Sequence, residues 1–376
     1  MKKLAMVDLR TQYDHIKKEI DASIQSVLNS TAFVKGPKVT EFQHHFEDYL
    51  DVKHVITTGN GTDALQAALM ALGLKPGDEV ITPTFTFIAT AEVVALLGYT
   101  PVVVDVDPET YCISLEAIKK AITPKTKVIV PVHLFGQNAD MEGILKIAEE
   151  HHLYVVEDAC QSVGSYYTFS DGRTCASGTM GDIGCTSFFP SKNLGCYGDG
   201  GAIYTNNDEL AEKLHIITNH GMTIRYHHDM VGINSRLDGI QAAILDVKLP
   251  HLNAYIKSRQ SAAHFYNEAF KNCAKIKTPV VSPKTTHAYH QYTVVLSEDV
   301  DRAALQAALK DKGIPSMIYY PIPLHMQKAY QDPRYKEGAF PQAEMLARRV
   351  LSFPIHTELS DEQLEYITSN VLDALK

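Results

Sequence analysis

The feature that most constrains the fold is a regular alternation of short apolar runs with helical patterns between residues 54 and about 205. The runs are rich in valine and isoleucine: HVITT, EVITP, TPVVVDVD, KVIVPVHL, LYVVEDA, IGCTSFF and GGAIYT. Continuous apolar runs of this length are typical of strands buried on both faces, and helices between them favour parallel pairing. The pattern therefore predicts an α/β fold with a largely parallel sheet.

The second half of the chain has a different pattern and predicts a smaller unit. A long helical stretch covers residues 237–270 and is interrupted at Pro250. Beyond it we predict strands at HQYTVVL and SMIYYP, and helices at residues 302–312, 344–351 and 361–375. A chain of 376 residues has room for two or three structural units. We therefore expect a large domain over residues 1–245 and a small α+β domain over residues 246–376 that share a substantial interface.

Charge and composition disfavour several classes of protein. The 35 Lys and Arg residues and 44 Asp and Glu residues give a net charge of −9, which disfavours general attraction to nucleic acid or anionic lipid. No apolar stretch approaches the roughly 18 residues of a membrane helix, and the N-terminus has no apolar signal core, so we expect a cytoplasmic protein. The six cysteines lack CxxC spacing and HExxH is absent, so we expect reduced thiols and no metal site.

Three motifs follow predicted strands, which is where open α/β sheets place their ligands. The first is GNGTDAL, residues 59–65, between a strand and a helix. Its small residues let backbone N–H groups approach a phosphate at a helix N-terminus. The alternative is a plain Gly-Asn-Gly turn in which Thr62 is the N-cap. The motif matches neither the Walker pattern nor GxGxxG, so it gives little support to nucleotide binding by those routes.

Each of the other two motifs carries an ionisable side chain. Asp158 follows the apolar run LYVV in VVEDACQS. A buried carboxylate there can hold a pyridine-type nitrogen protonated, or it can simply cap the next helix. Lys192 lies in SFFPSKNLG, between two phenylalanines and a Gly-rich segment. Partial desolvation would lower the pKa of this amine and favour Schiff-base chemistry, although most lysines are solvated surface groups.

The chain resembles the sugar aminotransferases of the DegT/DnrJ/EryC1/StrS family in several motifs that occur in the same order: GNGTDAL, TFTFIATA, PVHLFGQ, VVEDACQS, GDIGCTSFFPSKNLGCYGDGGAI and VGINSRLDGIQAAIL. The resemblance extends from about Asp8 to the YYPIPLH segment. It implies the aspartate-aminotransferase fold, fold type I, with a large cofactor domain and a smaller C-terminal domain. It also implies a transaminase that uses pyridoxal 5'-phosphate.

The resemblance assigns roles around the cofactor ring. Lys192 would form the Schiff base with the cofactor and, once displaced by the amino donor, would move a proton between donor and cofactor. Asp158 would pair with the pyridinium nitrogen, and Gln161 would lie near the 3-hydroxyl edge. Phe87, in TFTFIAT, would stack on the ring.

The resemblance also assigns the phosphate site. Gly61 and Thr62 would hold the cofactor phosphate through their backbone N–H groups, joined by the hydroxyl of Ser187. Asn234, in GINSRLD, would reach the phosphate of the cofactor bound to the neighbouring subunit. A homodimer with shared active sites is therefore part of what the resemblance implies.

The choice of substrate depends on finer similarities. The most similar branch aminates C3 of a UDP-linked 3-keto N-acetylhexosaminuronate for surface polysaccharide (O-antigen, lipopolysaccharide) assembly, with glutamate as donor. Asn234, Arg236, Tyr319 and Tyr320 are then candidates for binding the sugar nucleotide. The planar guanidinium of Arg236 suits a carboxylate or a phosphate, but the same side chain can instead form a structural ion pair.

Three other functions stay open at this point. One is an aminotransferase for a dTDP-linked keto-6-deoxyhexose, and another is a sugar dehydrase, in which histidine commonly replaces the Schiff-base lysine. The third is a non-catalytic regulator on the same fold, which the intact Lys192, Asp158 and Ser187 disfavour. Residues 225–230 (RYHHDM) either line the substrate entrance or form a polar loop, and residues 167–179 form an exposed loop or short hairpin without an assigned role.

Overall fold

The computed structural model describes residues 4–376. Its α-helices are α1 (Leu9–Ser30), α2 (Pro37–Leu50), α3 (Gly61–Ala71), α4 (Ala89–Leu96), α5 (Leu115–Ala121), α6 (Met141–His151), α7 (Asp208–Ile217), α8 (Gly239–Lys248), α9 (Leu252–Phe270), α10 (Arg302–Asp311), α11 (Pro341–Arg349) and α12 (Asp361–Ala374). Its strands are β1 (His54–Thr58), β2 (Glu79–Pro83), β3 (Thr100–Val104), β4 (Thr126–Ile129), β5 (Tyr154–Asp158), β6 (Tyr166–Thr168), β7 (Thr174–Ala176), β8 (Ile183–Ser187), β9 (Gly201–Thr205), β10 (Met222–Ile224), β11 (His227–His228), β12 (Ile276–Lys277), β13 (Tyr292–Leu296) and β14 (Val350–Phe353). Within this range, no helix combines the length and apolar character needed to cross a bilayer.

A seven-stranded sheet in the order β1-β9-β8-β5-β4-β2-β3 forms the centre of the molecule. The five strands from β8 to β3 pair in parallel, and β9 runs antiparallel to both of its neighbours. The predicted α/β fold with a largely parallel sheet is therefore confirmed. Because the parallel strands share one direction, their C-terminal ends lie along one edge of the sheet.

Alternate residues of the central strands face opposite sides of the sheet, and both sides are covered. Ile56 and Val80 are buried in the apolar cluster that includes α3, α4 and α7. Their chain neighbours Val55 and Ile81 are buried on the other side, where α2, α5, α6 and α8 lie. Burial of both faces explains why the strand sequences are continuous apolar runs and do not alternate with polar residues.

The C-terminal part of the chain holds a three-stranded antiparallel sheet in the order β12-β13-β14. Apolar side chains of α9, α10 and α12 pack against it. Strand β13 confirms the prediction at HQYTVVL, and α10 and α12 confirm the predicted helices at residues 302–312 and 361–375 to within a residue or so at each end.

Two local predictions in this part were wrong. The segment SMIYYP is not a strand, because only Met317 pairs with Ser352 before the chain turns towards the large sheet, where Tyr320 contacts Gln161. The helix predicted at residues 344–351 ends at Arg349, because the apolar segment that follows pairs along its length with β13. In both cases pairing with a distant strand decides the conformation, and local propensity does not.

The chain passes between the two parts through α8, a 3₁₀ turn at Leu249–His251 and α9. Pro250 lies in this turn, where its missing N–H interrupts the helical ladder as predicted. The predicted boundary at residue 245 falls inside α8, which contacts α1 and α2, and Leu252 still packs in the cluster that includes α2. The division into two domains at residue 245 stays a prediction.

Residues 167–179 belong mostly to a hairpin formed by β6 and β7. The hairpin alternative is thus confirmed, but the predicted exposure is wrong for Tyr167 and Phe169, which are both buried. The hydroxyl of Tyr167 donates to Asp140 at 2.6 Å, which ties the hairpin to the start of α6.

Candidate active site

One cavity of about 700 Å³ brings the three sequence motifs together. It lies at the C-terminal ends of β5 and β8 and at the N-terminus of α3, and residues from the C-terminal part of the chain complete it. Most of the predicted site residues line it: Gly61, Thr62, Phe87, Asp158, Gln161, Ser187, Lys192, Tyr319 and Tyr320. Asn234 and Arg236 are not among its lining residues.

The start of α3 presents backbone N–H groups to the cavity. The side chain of Asn60 accepts from the Asp63 N–H at 2.8 Å, so Asn60 is the N-cap and the alternative in which Thr62 caps the helix is wrong. The N–H groups of Gly61 and Thr62 have no partner within residues 4–376. A Cβ on Gly61 would lie 2.7 Å from the Cβ of Ser187, so only glycine allows this close approach. The arrangement is an anion site at a helix N-terminus.

The carboxylate at the end of β5 is held from both sides of the strand. Asp158 is buried and lines the cavity, and one of its oxygens accepts from the Cys160 N–H at 3.0 Å. No helix follows it, so the helix-cap alternative is wrong. On the opposite face, Glu157 contacts Nε2 of the fully buried His133 at 2.7 Å. Nδ1 of His133 accepts from the Ala139 N–H, so Nε2 carries the proton and donates to the carboxylate.

Lys192 lies in a tight loop after β8 and is half-buried, with its side chain lining the cavity. Its N–H donates to the Phe189 carbonyl at 2.8 Å. Burial lowers the pKa of its amine, and Cys160 and Asp158 partly oppose this shift. A lysine whose neutral form is favoured is a better nucleophile towards a carbonyl carbon than a solvated lysine.

Gln161 joins the large sheet to the C-terminal part across the cavity. Its Oε1 accepts from the Phe135 N–H at 2.8 Å, and its Nε2 donates to the Tyr320 hydroxyl at 3.1 Å. The ring of Phe87 lies 6.2 Å from that of Tyr320, and 53% of Phe87 is exposed. This exposed aromatic face at the mouth of the cavity is available to a flat ligand.

Sequence reasoning missed His290 and Gln291, which also line the cavity. His290 is 6% exposed, and its Nδ1 has no partner within residues 4–376. Burial lowers the pKa of His290 well below 6.5, and the charges of Lys192 and Arg259 act in the same direction. The motif search looked at the C-terminal ends of parallel strands, whereas these two residues precede an antiparallel strand.

The segment that contains Asn234 and Arg236 lies behind the start of α3. The hydroxyl of Ser235 accepts from the Gly59 N–H at 2.9 Å and donates to Asp63 at 2.7 Å. Asn234 is exposed, and Arg236 lines a separate cavity of about 250 Å³ together with Lys35. Within residues 4–376 Arg236 forms no ion pair, so the structural ion pair considered for it is not observed.

Comparison with known families decides the class of protein. Residues 14–372 match the DegT/DnrJ/EryC1/StrS aminotransferase family. The chain belongs to this family. It is accordingly an aminotransferase that uses pyridoxal 5'-phosphate, and the predicted family, fold class, enzyme class and cofactor are confirmed.

Several curated relatives cover almost the whole chain. A UDP-2-acetamido-2-deoxy-3-oxo-D-glucuronate aminotransferase of Pseudomonas aeruginosa is 46% identical over 97% of this chain and 98% of its own length. A UDP-N-acetyl-3-dehydro-alpha-D-glucosamine 3-aminotransferase of Acidithiobacillus ferrooxidans is 44% identical over 97% and 96%. A relative of Geobacillus stearothermophilus named pleiotropic regulatory protein is 45% identical over 98% and 97%.

Solved structures of family members share the fold. The structure of DesV from S. venezuelae in complex with a ketimine intermediate has a TM-score of 0.94 at 38% identity, covering 100% of this chain and 99% of its own. The structure of NtdA from Bacillus subtilis with bound cofactor PMP has a TM-score of 0.91 at 33% identity, covering 100% and 86%.

Proposed function

We propose that this aminotransferase moves an amino group from glutamate to C3 of a UDP-linked 3-keto sugar, with UDP-2-acetamido-2-deoxy-3-oxo-glucuronate as the preferred acceptor. Two relatives at 46% and 44% identity are named for UDP-linked 3-oxo or 3-dehydro sugars, which supports this substrate class. The observation that carries the catalytic role is the single cavity that joins Lys192, Asp158 and the open amides of α3. A protein that only regulates has no need of this combination.

The cavity residues fit pyridoxal phosphate. The unpartnered amides of Gly61 and Thr62 suit its phosphate, and the glycine leaves the space that a Cβ would take. The buried carboxylate of Asp158 suits a protonated ring nitrogen, because opposite charges in a buried site favour each other's ionised form. When bound, the cofactor supplies an electron sink for the charge that develops at the donor's α-carbon.

Each floor residue has a definite task in this proposal. The Lys192 amine, whose pKa burial lowers, holds the cofactor aldehyde carbon and accepts the proton from the donor's α-carbon. Asp158 keeps the ring nitrogen protonated, while Gln161 and Phe87 hold the ring edge and face. The Ser187 hydroxyl lies beside the Gly61 amide, where it adds a donor to the phosphate site.

We assign the sugar nucleotide to the rim of the cavity. Tyr319 and Tyr320 face it directly, and their hydroxyls suit sugar oxygens. Asn234 and Arg236 lie outside the cavity of their own chain, so in this proposal they act at the neighbouring subunit's site. The absence of an ion pair at Arg236 within the described chain supports a role in binding the uronate carboxylate or a phosphate.

We propose a homodimer because an exposed apolar surface adjoins Asn234. The β10-β11 hairpin, which contains RYHHDM, and the segment after it expose Ile224 by 69%, Tyr226 by 76% and Val231 by 85%. Such a cluster marks an interface more often than open solvent. Sedimentation should give twice the chain mass, and Val231→Asp should shift it towards the monomer. We further propose that the enzyme acts in the cytoplasm, in surface polysaccharide assembly.

The substrate proposal is tested by offering keto sugars separately with glutamate and measuring 2-oxoglutarate. We expect turnover of the UDP-linked 3-keto uronate, slower turnover of UDP-N-acetyl-3-dehydro-glucosamine, and little of a dTDP-linked keto-6-deoxyhexose. Arg236→Ala should remove the preference for the uronate, whereas Arg348→Ala, at an exposed arginine of α11, should leave it unchanged. Turnover of the dTDP sugar alone would overturn the substrate, and a protein that binds no pyridoxal phosphate would revive the regulator alternative.

A further inference from the structure

A second lysine lies buried behind the loop that carries Lys192. Lys248 is the last residue of α8 and is 2% exposed. Its Nζ donates to the carbonyl oxygen of Gly195 at 2.7 Å and lies 4.5 Å from the ring centroid of Tyr197. It forms no ion pair with a carboxylate anywhere in residues 4–376.

This arrangement is costly for the fold. Lysine is among the residues least often buried, and an ammonium without a counter-ion loses most of its hydration. The burial lowers the pKa of Lys248 to about 8, which records that cost. A methionine would fill nearly the same space without it, so packing alone does not explain a lysine here.

The contact that the ammonium makes lies at the closing end of the Lys192 loop. Phe188 donates to the Gly200 carbonyl at 2.7 Å, and Cys196 donates back to the Phe188 carbonyl at 2.8 Å. A Cβ on Gly195 would collide with the carbonyl oxygen of Pro190, so the chain doubles back on itself there. The Gly195 carbonyl points into the protein, where the Lys248 ammonium is its donor.

We propose that Lys248 is a positioning residue whose ammonium fixes the Gly195 carbonyl, and with it the loop that directs the Lys192 amine into the cavity. The ring of Tyr197 holds the ammonium in place from the other side through a cation–π contact. Lys248 touches neither cofactor nor substrate in this proposal. The inference rests on the proposed role of Lys192 as the cofactor-binding lysine.

Amide hydrogen exchange on the protein without cofactor tests the loop directly. Lys248→Met removes the donor at similar volume, and Lys248→Arg restores a charged donor. We expect peptides covering residues 192–197 to exchange about tenfold faster in K248M and close to wild type in K248R. Peptides from β9 should not change. Lys257→Met, at an exposed lysine of α9, is the matched control and should leave all peptides unchanged.

Thermal unfolding and cofactor titration separate positioning from a general loss of structure. The Tm of K248M should stay within a few degrees of wild type, because removing a buried charge offsets the lost hydrogen bond. Its affinity for pyridoxal phosphate should fall about tenfold and recover in K248R. If K248M does not fold, Lys248→Gln, whose amide is too short to reach Gly195, takes its place with the same expectations.

Lys192→Ala is measured in parallel so that the two proposals fail separately. Loss of the cofactor's absorption band in K192A, together with wild-type exchange and affinity in K248M, would overturn the role of Lys248 alone. An unchanged absorption band in K192A would instead overturn the role of Lys192 and, with it, the proposed function.

Discussion

The cavity has a floor and a wall that come from different regions of the chain. We define the floor as Gly61, Asp158 and Lys192. We define the wall as His290, Gln291, Tyr319 and Tyr320. The floor lies at strand ends and a helix start, where backbone hydrogen bonds of the sheet hold it. The wall lies in irregular segments and reaches the large sheet through side chains, as in the 3.1 Å bond from Gln161 to Tyr320.

This difference assigns chemistry to the floor and recognition to the wall. Groups that handle a proton or a covalent bond need fixed geometry, which the sheet provides. Groups that read a substrate tolerate attachment through side chains and loops. Floor substitutions should therefore change rate or cofactor binding, and wall substitutions should change the KM for the sugar nucleotide.

Lys192→Ala, in the floor, has the largest expected effect. Without the amine there is no group to hold the cofactor or move the proton, so steady turnover should fall by at least about a thousandfold. Initial rates of 2-oxoglutarate formation measure it. Lys257→Ala, at an exposed lysine, should match wild type. Full activity in K192A would remove the floor from the chemistry altogether.

Gly61→Ala tests the phosphate end of the floor. The new Cβ would lie 2.7 Å from the Cβ of Ser187 and 2.9 Å from Sγ of Cys160, so helix and strand must separate. We expect the affinity for pyridoxal phosphate to fall roughly 30-fold, as measured by spectral titration. Thr62→Ala keeps its backbone N–H and should stay within about threefold of wild type. A T62A loss as large as that of G61A would mean that the side chain, and not the backbone, binds the phosphate.

His290→Asn tests the wall. The buried, unpartnered Nδ1 of His290 is a hydrogen-bonding group that a bound substrate can satisfy. We expect the KM for the keto sugar to rise about tenfold while kcat stays within about threefold. His264→Asn, at an exposed histidine of α9, is the control. A kcat loss close to that of K192A would place His290 in the chemistry and break the division between floor and wall.

Acid should weaken the wall segment without a change in activity at neutral pH. Burial lowers the pKa of His287 to about 3, so it stays neutral in the folded chain at pH 5. In the unfolded chain it is protonated below about 6.5. Its contribution to stability is therefore complete above that pH and falls below it, by about 2 kcal/mol at pH 5. Urea unfolding at pH 7.5 and pH 5 should show this loss, and His287→Gln should lose less.

The floor was predictable because local sequence decides it. Asp158 and Lys192 follow strands that apolar runs reveal, and the glycine at position 61 marks the close approach. Even there Thr62 was taken as the possible cap, because sequence does not show that the Asn60 side chain reaches the Asp63 N–H. The cap is a matter of rotamer and backbone angle, which residue type alone leaves open.

The wall was not predictable in the same way. Tyr319 and Tyr320 were named only through family resemblance, and their segment was expected to be a strand. His290 was missed, because its burial follows from long-range packing of the segment before β13 onto the large sheet. Contacts between residues more than a hundred positions apart leave no periodic signal in the sequence.

Borohydride reduction after incubation with pyridoxal phosphate tests the central claim most directly. Reduction fixes the cofactor to the lysine that holds it, and peptide mass spectrometry then identifies that lysine. Burial lowers the pKa of Lys35 and Lys248 as well as that of Lys192, so a low pKa alone does not select the site. The geometry of the cavity predicts modification at Lys192. Modification at Lys35 or Lys248, or at no single lysine, would contradict the account.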